Sequence, residues 1–250
     1  MTVHVHRDGA VVIATLDRPE RRNAVDAATL RSLLEVQGDM TRLADEHPDR
    51  AARVLVITGA APAFSAGADL TGVELGEFTD DLGRVLRGFG ELAVPVIAAI
   101  DGPALGAGAQ LAVAADLRVA TADSVVGIPA ARLGLVVDHW TVRRLAQEFT
   151  PPVARAMLVA AETYTGAELH RIGAVHRVGN LETALEWARQ LAHLAPLTMA
   201  GHKLALERFE AEPGPDELVE AARRRAWAST DAAEGRAAFS EKRRPNFTGD

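Results

Sequence analysis

Two apolar runs constrain this chain most, residues 54–58 and 94–100, because each passes directly into a turn built of small residues. Runs of that length, bounded by turn residues and rich in Val and Ile, read as buried strands. The first delivers Ala63-Phe64-Ser65-Ala66-Gly67-Ala68-Asp69-Leu70, and the second delivers Asp101-Gly102-Pro103-Ala104-Leu105-Gly106-Ala107-Gly108-Ala109-Gln110. Small side chains at such turns let the backbone approach a ligand closely. Residues 106–116 read as a helix, which puts the Ala107 N–H at a positive helix N-terminus, where developing negative charge is stabilised. Converging amides at Ala68 and Ala107 would form an oxyanion hole, the requirement of an enolate-forming or acyl-transferring site.

Two further segments extend the pattern to both ends of the chain: Leu16-Asp17-Arg18-Pro19-Glu20-Arg21-Arg22-Asn23-Ala24, and Phe239-Ser240-Glu241-Lys242-Arg243-Arg244-Pro245-Asn246-Phe247. In this order the four segments resemble the crotonase (enoyl-CoA hydratase/isomerase) superfamily over almost the whole length. The resemblance implies an α/β fold, a crotonase-type spiral of ββα units. It implies a core over 1–195 that carries the acyl-CoA site and a helical oligomerisation region over 196–250. It further implies coenzyme A thioesters as ligand or substrate, with no tightly bound cofactor. Arg22, Ala24, Ala66, Ala68, Asp69 and Leu70 fall on the coenzyme A positions, with Arg22 a better positional match to the phosphate contact than Arg21. Lys242 matches a residue that reaches the ligand from a neighbouring subunit, and Phe239 one that packs near the adenine. Leu218, Trp227 and Phe239 are candidates for burial between subunits of a homotrimer or a dimer of trimers.

Departures from the family pattern bear most on chemistry. Hydratases of the family hold water between two glutamates, and here those positions carry Gln110 and Ala130. A glutamine amide can orient a ligand but has no proton to exchange near neutral pH, and alanine offers nothing polar. Asp138 lies at a position where isomerases and dehalogenases of the superfamily carry a working aspartate. A desolvated aspartate beside Trp140 could act as base or nucleophile, while the same residue is a preferred N-cap for a helix over 140–149. His139 reads as solvent-facing and Trp140 as pocket wall or core. Gln110 within its glycine-rich turn, with Asp138, Trp140 and Arg143-Arg144-Leu145, resembles the catalytically silent homologues tied to mycolic-acid and long-chain acyl metabolism. That narrower resemblance implies an acyl-CoA carrier that meets fatty-acid synthase components. An active hydratase and an Asp138-dependent isomerase or hydrolase stand as alternatives.

Composition removes other classes. The chain has no cysteine, which excludes disulfides, thiolate zinc and cysteine nucleophiles, and its Asp, Glu and His residues show no metal-ligand spacing. A net charge of −7 argues against nucleic acid as main partner. Coenzyme A is itself a polyanion, so local cations are still needed; of the lysines, Lys203 reads as a solvated surface charge. The start of the chain lacks a signal-peptide pattern and no apolar run is long enough to span a bilayer, so a cytoplasmic location is expected.

Local patterning predicts strands over 11–16, 117–120 and 125–128, and a helix from an Asp26 cap to about 46. Residues 70–90 are dotted with glycine at 72, 76, 83 and 88, which suggests mobility, with a helix starting near Thr79. Beyond Pro151-Pro152 the pattern turns helical over 153–161, 166–172, 181–194, 196–209, 216–230 and 232–241, interrupted by a β run over 175–178.

Overall fold

The computed structural model describes residues 2–46, 51–69, 75–208 and 217–250. Its main sheet has the order β1-β2-β3-β4-β6-β9, with β1 Val3–Asp8, β2 Val11–Leu16, β3 Val54–Gly59, β4 Val96–Ile100, β6 Leu117–Ala120 and β9 Arg177–Val178. Only the β1–β2 hairpin is antiparallel within it; the other neighbours pair in parallel. Parallel strands need covered faces, which explains why β3 and β4 read as unbroken apolar runs. Val54, Val56, Ile97 and Ala99 join one cluster with Ala184 and Ala188 of helix α7 Leu181–Leu191. Leu55, Ile57, Val96, Ala98 and Ile100 face the opposite cluster, shared with α1 Ala27–Glu46, α2 Leu75–Glu91 and α3 Ala107–Ala114.

A smaller sheet, β5 Ala104–Leu105, β7 Val125–Gly127 and β8 Thr163–Thr165, lies across the ends of the main strands. Isolated bridges extend it through Ser65 to Ala104 and Val25 to Ala68. The chain therefore alternates between the two layers, each β–loop–helix unit adding one rung to both, as expected of a ββα spiral.

Helices α4 His139–Phe149, α5 Pro151–Val159, α6 Gly166–Arg171, α8 Pro196–Glu207, α9 Glu217–Ala228 and α10 Thr230–Glu241 complete the described elements. Asp26 caps α1, its Oδ1 accepting from the Thr29 N–H at 2.7 Å. Local patterning does not predict β1 or β8, and α2 begins a turn before the predicted start near Thr79; Gly76, Gly83 and Gly88 lie within that helix. Gly72 and Leu70 lie outside the described residues, as do the side chains of Trp227 and Phe239.

Lys203 requires a correction. It is buried, not solvated, and its Nζ donates to Phe89 O at 2.7 Å, Val94 O at 2.9 Å and Asp116 Oδ2 at 2.7 Å. Burial pushes the ammonium below the ordinary lysine range while Asp116 opposes the shift. This contact fastens α8 to the end of α2 and the start of β4. Nearby, Arg118 is sealed inside, paired with Glu148 and donating to the carbonyls of Ala174 and Ala115 at 2.7 and 2.8 Å. A buried charge is tolerated only when its donors are satisfied in this way.

Candidate active site

The site lies where β3 and β4 end side by side, the place at which open parallel sheets present loops to ligands. The loop after β3 runs as an extended segment between two others. On one side Ala66 N donates to Arg22 O, Val25 N to Gly67 O and Asp69 N to Val25 O, at 2.9, 2.7 and 2.8 Å. On the other, Ser65 N donates to Pro103 O and Leu105 N to Ser65 O, at 3.0 and 2.9 Å. These bonds bring Arg22, Ala24, Ala66, Ala68, Asp69 and Ala107 into one neighbourhood.

Two residues of the N-terminal segment to which the sequence alone assigns no role, Asn23 and Arg18, hold that neighbourhood together. Asn23, fully buried, donates from Nδ2 to Ala60 O at 2.6 Å and Ala63 O at 2.7 Å, and its Oδ1 accepts from Arg18 N. Arg18 reaches Ala24 O at 2.7 Å and the carboxylates of Asp26 and Asp69, each at 3.1 Å. The Asp69 carboxylate is thus engaged in bracing the loop. Arg22 itself is exposed, as is Lys242 at the end of α10.

Gly67 takes a φ of +111°, and a Cβ there would lie 3.0 Å from Leu105 O and 3.8 Å from Ala107 N. Only glycine allows the two turns to approach so closely. The positive φ values of the second turn fall on Gly102 and Gly106, at +73° and +51°, so Ala107 keeps an ordinary helical backbone and its N–H. No side chain caps α3, and among the described residues neither the Ala68 nor the Ala107 amide has an acceptor. Two neighbouring unpaired amides, one at a helix N-terminus, can together stabilise an oxyanion.

Gln110 is buried one turn into α3, and its Nε2 donates to the Thr141 hydroxyl at 3.0 Å. Ala130 is half-buried at the start of a short 3-10 turn, Ala130–Leu133, which leads to exposed Leu133 and Val136. Asp138 caps α4, its Oδ1 accepting from the Thr141 N–H at 3.2 Å. Of the two roles that the sequence leaves open for Asp138, the N-cap is the one present, and the residue is exposed at the start of α4. His139 is exposed and Trp140 is half-buried against the core. Thr141 escaped the sequence reading, since nothing local marks a helical threonine as a partner of Gln110. Arg118 left one signal, a charge inside an apolar strand. Among the described residues no cluster of His, Asp and Glu could hold a metal ion. No helix among them is long and apolar enough to cross a membrane.

Comparison with known proteins agrees with this architecture. The family described as Enoyl-CoA hydratase/isomerase matches residues 6–250. The probable enoyl-CoA hydratase echA6 of Mycobacterium tuberculosis is 38% identical over 245 residues, covering 96% of each chain. A carnitinyl-CoA dehydratase of Proteus mirabilis is 36% identical, over 99% of this chain and 98% of the relative. Among solved structures, an enoyl-CoA hydratase from Mycobacterium tuberculosis superposes with a TM-score of 0.86 at 32% identity, covering 100% of this chain and 99% of that one. An enoyl-CoA hydratase/carnithine racemase from Magnetospirillum magneticum gives 0.88 at 28% identity, over 100% and 96%. With its spiral core, paired amide turns and end-to-end match, this chain belongs to the enoyl-CoA hydratase/isomerase family.

Proposed function

We propose that the protein binds fatty acyl-CoA thioesters through an oxyanion hole formed by the Ala68 and Ala107 amides and does not hydrate them, serving as an acyl-CoA carrier in fatty-acid metabolism. One observation carries this reading: two closely approaching turns each leave an amide uncommitted, at Ala68 and Ala107, while the positions matched to the family's acid/base pair hold Gln110 and Ala130. Binding needs the amides, whereas hydration also needs proton transfer, which typically contributes 10²–10⁴-fold. Arg22, Ala24, Ala66 and Leu70 would flank the coenzyme, with Asp69 bracing them through Arg18. Lys242 and Phe239 would arrive from a neighbouring subunit of a trimer or dimer of trimers, and fatty-acid synthase components would exchange the cargo.

The names of relatives favour a second reading, an active hydratase or dehydratase. It requires acid/base groups that neither Gln110 nor Ala130 supplies. An Asp138-dependent reaction is less supported, because that carboxylate is solvated and already accepts the α4 amide. The test is incubation with a panel of acyl- and enoyl-CoAs, followed by mass spectrometry of bound ligand and products. Recovery of unchanged thioester is expected; a gain of one water on the enoyl-CoA would establish the hydratase, and free coenzyme A a hydrolase.

A further inference from the structure

We infer that Arg144 is a positioning residue for the oxyanion hole, holding α3 by its C-terminal end so that the Ala107 amide at the other end keeps its place; this rests on the acyl-CoA reading of the same site. A helix that offers its first amides to a ligand cannot also have them capped, and no side chain caps α3. Apart from Gln110 its residues, Ala107–Ala114, are apolar or glycine, and all are buried, so its far end carries most of the polar groups that can fix it. Its position matters to the site. A Cβ on Gly108 would lie 2.5 Å from Ser65 O, so the first turn of α3 is pressed against the loop that carries Ala68, and any slide of the helix changes the spacing of the two amides.

The far end is gripped from several sides. Arg144 of α4, itself buried, donates from Nε to Val113 O at 3.2 Å and from Nη1 to Glu207 Oε1 of α8 at 2.7 Å. Arg118 of β6 donates from Nη1 to Ala115 O at 2.8 Å and to Ala112 O at 3.4 Å. Asp116, just past the helix, accepts from the Val96 N–H of β4 and from Lys203 Nζ of α8, each at 2.7 Å. Lys203 and Glu207 stand four residues apart and so share one face of α8. Arg144 is the member that joins the carbonyls of α3 itself to that face. Cations suit a helix C-terminus because its last carbonyls lack partners. Their field at the oxyanion is nonetheless small: Arg118 and Arg144 are matched by Glu148 and Glu207, and the cluster lies about 12 Å of helix from Ala107. Arg144 therefore acts through the placement of α3 and not through its charge.

Infrared difference spectroscopy of butyryl-CoA, isotope-labelled at the thioester carbonyl and bound to the full chain, reads the hole directly, because hydrogen bonds to the oxygen lower the carbonyl stretching frequency. In the unmodified protein the band should lie below its position for butyryl-CoA in water. Arg144→Met, which keeps much of the stem and removes the donors, should return most of that shift and weaken butyryl-CoA binding about fivefold, the scale of one net hydrogen bond. Arg144→Lys, the milder replacement should the Met variant not fold, keeps the charge but cannot serve Val113 O and Glu207 together, and should lose the shift in part. Val54→Ala opens a cavity on the α7 side of the sheet, lowering stability without touching α3, and should keep the whole shift. A shift that survives both Arg144 variants, or one lost equally in Val54→Ala, would overturn the inference while leaving the acyl-CoA reading intact. Butyryl-CoA bound without any shift in the unmodified protein would remove the oxyanion hole, and failure to bind it would overturn the acyl-CoA reading; this inference falls with either.

Discussion

At the scale of single residues, the proposed reading turns on Gln110 and Ala130. Their side chains occupy a buried position one turn into α3 and a half-buried position at the head of a 3-10 turn. Neither can exchange a proton, so the unmodified protein should hydrate a short enoyl-CoA orders of magnitude more slowly than a two-glutamate hydratase. The double substitution Gln110→Glu with Ala130→Glu should raise the rate of crotonyl-CoA hydration above that of the unmodified protein, followed by loss of enoyl absorbance. Hydratase-level turnover before substitution would show that the proton-transferring groups lie elsewhere. The sequence singles out these two positions because each sits at a fixed offset from a motif. Thr141 is not singled out, since its contact with Gln110 spans 31 residues and exists only after α3 and α4 pack. Lys203 misled for the same reason: its carboxylate partner lies 87 residues away, and a lysine flanked by helix formers reads as surface.

At the scale of elements, the site is a product of three extended segments laid edge to edge, 22–25, 65–69 and 103–106, hydrogen-bonded mainly through their backbones. Arg18 is the side chain that ties the first to the second, with its guanidinium shared between Ala24 O, Asp26 and Asp69. Both Arg18 and Asp69 are largely buried, so removing the cation takes away a charged donor from the Asp69 carboxylate and the Ala24 carbonyl. Arg18→Ala should lower unfolding stability by about 2–3 kcal/mol and weaken acyl-CoA binding, because the 66–69 segment loses its brace. Arg18→Lys should recover only part of both, since an ammonium cannot serve three oxygens with the geometry of a guanidinium fork. Denaturant melts and calorimetry on the two variants check this; an Ala variant of unchanged stability and affinity would mean that the backbone bonds alone set the loop. The strands of this assembly were readable from apolar runs closed by glycine turns. Short β8 and the two-residue β5 were not, because strands of two or three residues derive their form from the neighbour they pair with, not from their own sequence.

At the scale of the whole molecule, the proposed reading gives the C-terminal helices a part in both binding and assembly. Helix α8 is anchored in the core by Lys203 and by the Arg144–Glu207 pair at 2.7 Å, and α9 packs on α8. The chain end folds back on α10: Asp231 accepts from the Thr248 and Gly249 amides at 2.7 and 2.9 Å. Arg243 bridges Glu234 and Glu241, and with Asn246 N–H donating as well, the Glu234 carboxyl is held down to about 2. This clasp fixes the turn at Lys242, whose φ is +53° and whose side chain is exposed, as is Leu218 on α9. On the proposed reading, the exposed lysine on this braced turn reaches the ligand of a neighbouring copy. Truncation before Asp216 should therefore convert a trimer or dimer of trimers into a smaller, less stable species that binds CoA thioesters poorly, read by sedimentation and calorimetry. Arg22→Ala and Lys242→Ala should each weaken coenzyme A binding about fivefold, the scale of a solvated ion pair, and the deficit should shrink as salt screens the phosphates. A truncated monomer that binds at full strength, or two charge variants with unchanged affinity at low salt, would separate ligand recognition from the C-terminal helices.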